Sequence, residues 1–136
     1  MANNPLVYNS PCETMINAFT ALLNNGFIEA WTGSQPAVGG SLTGTLLVTM
    51  TFGATAFANA SASGSGGSAV ANPIESGTAA STGTAGYFAL LESDGETVVG
   101  TGSVGTSGAD LNFSTLSIVA AAIVSCTAFS VTQAQT

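Results

Sequence analysis

Hydrophobic positions along this chain recur at helical spacing only near the start; elsewhere they alternate with small polar residues in short runs. After an aperiodic arm at residues 1–9, Ser10, Pro11 and Glu13 form a helix-start signal. The serine hydroxyl can cap free amides, proline suits the first helical position, and glutamate completes a capping box. Met15, Ile16, Phe19, Leu22 and Leu23 follow at helical spacing, and Asn24-Asn25-Gly26 closes the helix. At about three and a half turns such a helix does not persist alone, so its stripe must cover a sheet or dock on a partner.

The strands come next. Residues 27–32 read as the first, with Glu29 between Phe27 and Trp31 on one face, which predicts a face only partly buried. A loop over 33–43 holds Pro36 and Gly39-Gly40. Residues 45–53 make the cleanest strand: Leu46, Val48, Met50 and Phe52 point one way, and Thr45, Leu47, Thr49 and Thr51 the other. Burying the first four contributes roughly 6–12 kcal/mol gross. Residues 54–72 are low in complexity; Phe57 ends one strand, Val70 begins another, and residues 61–68 read as a flexible Gly/Ser hairpin tip. Residues 78–84 read as an edge strand or a loop.

Residues 82–114 organise the rest. Residues 87–91 are apolar on both faces, which predicts a central strand. Ser93-Asp94-Gly95-Glu96 carries the Asp-Gly signal of a primed hairpin turn, and 97–101 return. A glycine-rich connection at 102–109 leads to a short strand at 110–114. After a turn near 119–121, residues 122–132 form the last strand, and 133–136 are expected to fray. About seven or eight short strands with turns roughly every ten residues predict a mainly β fold. The expected architecture is an antiparallel β-sandwich or jelly-roll-like barrel with one short N-terminal helix. Arm and helix occupy 1–26, and a single β domain occupies 27–136.

Charge changes the picture more than length does. The 136 residues include seven acids and no Lys, Arg or His, for a net charge of −7. No side-chain ion pair can form within the chain. Nucleic-acid binding requires cations that replace phosphate counterions, and anionic membranes are disfavoured likewise, so neither is an expected partner. Such a chain is steered toward basic partners. Its longest apolar run, residues 118–124, falls far short of the ~18 residues of a membrane span. The first eleven residues have no basic or hydrophobic signal region, which predicts synthesis and folding in a cytosol. Cys12 and Cys126 sit near opposite ends and read either as one bridge, within or between chains, or as two buried thiols.

Candidate chemistry is sparse. Without histidine or lysine the common general bases and Schiff-base residues are missing, and neither cysteine has a histidine partner. Asp94 and Asp110 lie near glycines, but no Asp-Thr-Gly or Asp-Ser-Gly motif accompanies them. No enzyme activity, cofactor or metal is expected. Glu92, Asp94 and Glu96 crowd one turn, readable as a cation site or as a solvated hairpin tip; the spacing lacks the glycine and terminal glutamate of an EF-hand loop. Residues 100–108 imitate a phosphate-binding loop but lack the following Lys-Ser/Thr and lead into a strand. Trp31 with Phe27 reads as an interface anchor or as ordinary core.

Four stretches, in order, carry a resemblance. They are residues 28–36 (IEAWTGSQP), 43–47 (TGTLL), 82–88 (TGTAGYF) and 102–111 (GSVGTSGADL). Together they resemble a family of small structural proteins of tailed-phage and prophage virions, over roughly residues 27–132. The resemblance implies a strand-rich, non-enzymatic component, here a capsid decoration (cement) protein on the outer capsid surface. It implies the major capsid protein as partner and self-association as a homotrimer, after synthesis in the host cytoplasm. Tyr8, Glu13, Phe19, Glu29 and Trp31 are the expected partner contacts. The alternatives are a tail, fibre or adhesion component, and a self-assembling extracellular fibre subunit. The absence of basic residues and the Gly/Ser stretch around residue 65 depart from the family pattern.

Overall fold

Tyr87–Leu91 is buried at every residue, on both faces. A strand with no charged side chain, and only the Tyr87 hydroxyl to satisfy, takes the middle of a sheet, and this one does. The computed structural model describes residues 7–62, 66–126 and 128–134. In chain order these form α1 (Asn9–Ala21), β1 (Phe27–Trp31), β2 (Leu46–Thr51), β3 (Ser61–Ala62), β4 (Gly66–Val70), β5 (Gly77–Thr78) and β6 (Gly83–Thr84). The chain continues with β7 (Tyr87–Leu91), β8 (Val98–Gly105), β9 (Leu111–Asn112), β10 (Ser117–Ile118), β11 (Ile123–Val124) and β12 (Ser130–Ala134). The main sheet runs β2-β1-β7-β8-β9, a second runs β12-β4-β3, and β6–β10 and β5–β11 add two short ladders. The fold is mainly β, sandwich- or barrel-like, with one helix.

The inner face of the main sheet carries Ile28, Ala30, Val48, Met50, Phe88 and Leu90 into the core. A chain of rings ties that face to the second sheet. Phe52 and Phe57 lie 5.5 Å apart, Phe57 and Phe129 6.0 Å, and Phe129 meets Phe88 edge-on at 5.6 Å. Edge-to-face contacts of this kind add about 0.5–1.5 kcal/mol each beyond burial. Residues 75–80 close the open edge of β2: Thr51 and Glu75 exchange backbone bonds (3.2 and 2.9 Å), and Ala80 N–H donates to Leu47 C=O at 2.7 Å.

The helix lies on the second sheet, over β4 and β12. Its buried ridge is Cys12, Ile16, Thr20 and then Leu23. The expected stripe is rotated: Ile16 and Leu23 are buried, Phe19 is partly buried, and Met15 and Leu22 are exposed. The cause is the close approach of the two backbones. A Cβ on Gly67 would lie 2.8 Å from Glu13 N and 3.0 Å from the Cys12 carbonyl carbon. Only a narrow ridge of helix fits between such surfaces, and a cysteine and a threonine suit it better than a row of leucines.

The helix start also differs from expectation. It begins at Asn9, and Tyr8 is the N-cap but makes no side-chain cap hydrogen bond. Ser10 and Glu13 lie inside the helix, and the Ser10 carbonyl accepts from Thr14 Oγ1 at 3.1 Å. Proline is tolerated anywhere in the first turn, where amides have no intrahelical partner, so Pro11 does not single out one start. At the other end Asn25 takes the left-handed conformation at φ 57° and its N–H donates to Gly53 C=O, as the Asn-Asn-Gly signal predicts.

Other boundaries move as well. β4 begins inside the stretch expected to be a flexible tip, where it pairs with β3 on one side and all of β12 on the other. β8 runs on through Gly105 into the expected connection, and β9 joins it in parallel, through Val104↔Leu111 and Gly105↔Asn112, in an otherwise antiparallel arrangement. The expected last strand splits into β11 and β12, and Gln133 and Ala134, expected to fray, belong to β12. The hairpin after β7 is not a primed two-residue turn. Glu92 N–H donates to Thr97 C=O around a four-residue loop in which Gly95 (φ 72°) alone has positive φ. No intrachain bridge forms: Cys12 and Cys126 are both free and buried. Cys12 Sγ faces the carbonyls of Val7 (4.0 Å) and Ala134 (3.8 Å), and Cys126 Sγ that of Ala128 (3.5 Å).

Two outcomes follow from this packing. Gly67→Ala should lose about 1–3 kcal/mol in urea unfolding, because helix and strand must separate. Gly100→Ala, whose Cβ would meet nothing within 4 Å, should change stability by under about 0.5 kcal/mol. The thiols should react with Ellman's reagent only on unfolding, and the chain should run as a monomer on a non-reducing gel; rapid native labelling would contradict their burial.

Candidate interface on the outer sheet face

Alternation along β1 and β7 sends Phe27, Glu29 and Trp31, with Tyr87, Ala89 and Leu91, to the face opposite the core. The register stacks them in rows: Leu46, Trp31, Tyr87 and Ser103 in one, Thr49, Glu29, Ala89 and Thr101 in the next. The rings of Trp31 and Tyr87 stack at 6.5 Å, 13° apart. Tyr87 is fully buried because its hydroxyl is held by the loop before β2: it donates to Thr43 C=O (2.7 Å) and accepts from Thr43 N–H (3.0 Å). At the far end the Phe27 ring lies under Gly95 of the hairpin. Glu29 sits between these covers, half-buried in the middle of the face.

The Glu29 carboxylate accepts from the Trp31 indole N–H at 3.3 Å and also bonds Thr49. Burial pushes its pKa above the ordinary value of 4.5, and the two hydrogen bonds only partly offset that. In a chain with no Lys, Arg or His, this partly desolvated carboxylate has no basic side chain to pair with. The face therefore combines an aromatic shelf with a carboxylate that gains from a cation supplied by another molecule.

The other acids that shape the surface are satisfied differently. The Asp94 carboxylate accepts from the Thr97 hydroxyl and from the N–H groups of Thr97 and Glu96, which hold it below the usual range. Those bonds build the hairpin tip, and among the described residues no group of three or more acids or cysteines is placed to hold a metal ion. Asp110 is likewise held low by the Ser103 N–H and hydroxyl, both at 2.9 Å. Residues 100–108 lie largely within β8 and present no phosphate cradle at a helix start.

The five expected contacts divide between two places. Glu29 and Trp31 come together on the outer face. Tyr8 is the exposed N-cap of the helix, and Glu13 is half-buried beside Gly67. Phe19 packs against the core and lines a cleft beneath the helix. Sequence reasoning missed Thr49 and Tyr87 as partners of the patch, although the alternation within residues 45–53 and 87–91 placed both on a face. Their pairing with β1 is a matter of strand order, which alternation does not contain. No family model matches this chain, and no curated protein or solved structure shows significant similarity to it.

The sign of the Glu29 effect is fixed by its raised pKa. The native state holds this proton more tightly than the unfolded chain, so the contribution favours folding below pH 4.5 and is lost as pH rises through the native pKa. Glu29→Gln should therefore raise the melting temperature at pH 7 and flatten the fall in stability above pH 4.5. An unchanged pH profile would remove Glu29 as the source.

Proposed function

We propose that this protein is a non-enzymatic structural subunit of a phage-type virion, a decoration protein that binds the outer surface of the shell and stabilises it. The observation that carries this reading is Glu29: a half-buried carboxylate beside Trp31, in a chain that has no basic side chain to pair with it. A basic residue of the major capsid protein would pair with it while the aromatic shelf supplies apolar area. The net charge of −7 supports a position outside the shell, away from packaged nucleic acid. It also means that identical chains, as a homotrimer, associate through apolar contacts or around a basic partner that neutralises them. The resemblance of the four Gly/Thr-rich stretches to small virion proteins points the same way.

Particles assembled without this protein should lose thermal and osmotic stability, and adding it back should restore both. Hundreds of copies per particle support decoration, whereas a few copies place it in a tail or fibre. Glu29→Lys should weaken shell binding by about 30-fold, the loss of roughly 2 kcal/mol at an interface centre, while Glu29→Gln weakens it less. Equal binding by the wild type and both variants would exclude the outer face as the contact.

A further inference from the structure

The sheet edges are unevenly protected. The edge of β2 is covered by residues 75–80, and β3 and β9 are two residues long. β8 and β12 are longer and less covered. Ser103 turns its N–H away from β7 to Asp110 Oδ2, so ladder alternation turns the N–H and C=O of Thr101 outward too. On β12, the Phe129 C=O accepts from Ala71 N–H at 2.8 Å on the β4 side, and alternation turns Ser130 and Thr132 away from β4. Among the described residues, neither the ladders nor any loop bond supplies backbone partners to these outward groups.

Thr101, Ser130 and Thr132 all border one cleft of about 570 Å³, with Phe19, Phe88 and Phe129 in its lining. That volume lies within the roughly 300–1,000 Å³ typical of ligand sites. Gly100 and Gly102 lie opposite Leu90 and Phe88 on the inner face of β8, and beside Gly100 a side chain would find open space. The outward backbone of Thr101 on β8 and of Ser130 and Thr132 on β12 thus flanks a trough of mixed polar and apolar lining, with room for a side chain beside Gly100. The complement of such rows is another extended backbone, whose alternating donors and acceptors serve both lips at once.

We propose that this cleft is an acceptor slot for an extended segment of a basic protein partner, which adds as a strand between β8 and β12 with a Lys or Arg at the Asp110 end. Charge selects this occupant. Asp110 lines the cleft, the chain has no basic side chain, and a second copy would bring another −7 into contact. The inference rests on the decoration reading only in taking the partner to be a protein. A shell that binds through the outer face alone would leave that reading intact and the slot unsupported, so the two fail separately.

The test is amide hydrogen exchange by NMR on the full chain. Its main probe is a ten-residue peptide of alternating Val and Thr flanked by Lys, compared with a Glu-flanked counterpart and with a peptide of residues 1–8 of this chain. In the free protein the amides of Thr101, Ser130 and Thr132 should exchange rapidly although they lie in strands, and the Lys-flanked peptide should slow them at least about tenfold. The Glu-flanked peptide should not. Gly100→Leu, which extends a side chain into the slot from a position where a Cβ meets nothing within 4 Å, should weaken binding at least about tenfold, with a cooperative melting transition showing that the variant is folded. Slow exchange in the free protein, protection that grows with protein concentration, or protection by the 1–8 peptide but not the Lys-flanked one would assign the slot to the chain itself and overturn the proposal. So would equal binding of the Lys and Glu peptides, no protection by either, or unchanged affinity in Gly100→Leu.

Discussion

Everything in this fold is arranged around a strand that has no wet side. β7 places Phe88 and Leu90 on one face and Tyr87, Ala89 and Leu91 on the other, all buried. Each face therefore needs a cover. On the inner side the cover is the chain of phenylalanines leading to the second sheet, backed by α1. On the outer side it is thinner: the Trp31 ring, a loop that clasps the Tyr87 hydroxyl, and the hairpin tip over Phe27. The gap between those outer covers is where Glu29 stands.

The second constraint is the absence of basic side chains. Three carboxylates show three consequences. Asp94 spends its oxygens on backbone and hydroxyl donors and shapes a turn. Asp110 does the same for the edge of β8 at Ser103. Glu29 finds only an indole and a hydroxyl, and burial raises its pKa. Neutral donors suffice where water helps; on a half-buried sheet face they do not. The same rule makes a basic partner a relief of local electrostatic cost at the outer face, beside Glu29.

Glycine serves this chain as a packing device more than as a turn former. Gly67 lets the helix backbone rest on β4, and Gly102 lies where a Cβ would strike the Phe88 ring. This is why the low-complexity stretches were hard to place. Composition reads Gly and Ser as a flexible tip, but β4 is a paired strand because the helix above and β12 beside it need a surface without side chains. Likewise Cys12 and Thr20 on the buried helix ridge look like weak core candidates beside Leu22, yet they are the residues that fit so close an approach.

The sequence by itself determined the mainly β class, the centrality of residues 87–91, the half-buried face of Phe27, Glu29 and Trp31, the helix with its Asn-Asn-Gly end, and the lack of any basic side chain. These depend on local periodicity, side-chain type and formal charge, which need no knowledge of neighbours. Tertiary structure alone decided the strand order that sets Tyr87 and Thr49 beside Glu29 and Trp31, the rotation of the helix ridge, the parallel seating of β9, and the separation of the two thiols. It also decided which edges stay open. Those are relations between segments far apart in the chain, where backbone approach, ring packing and hydrogen-bond alternation choose among pairings that the periodicity alone allows equally.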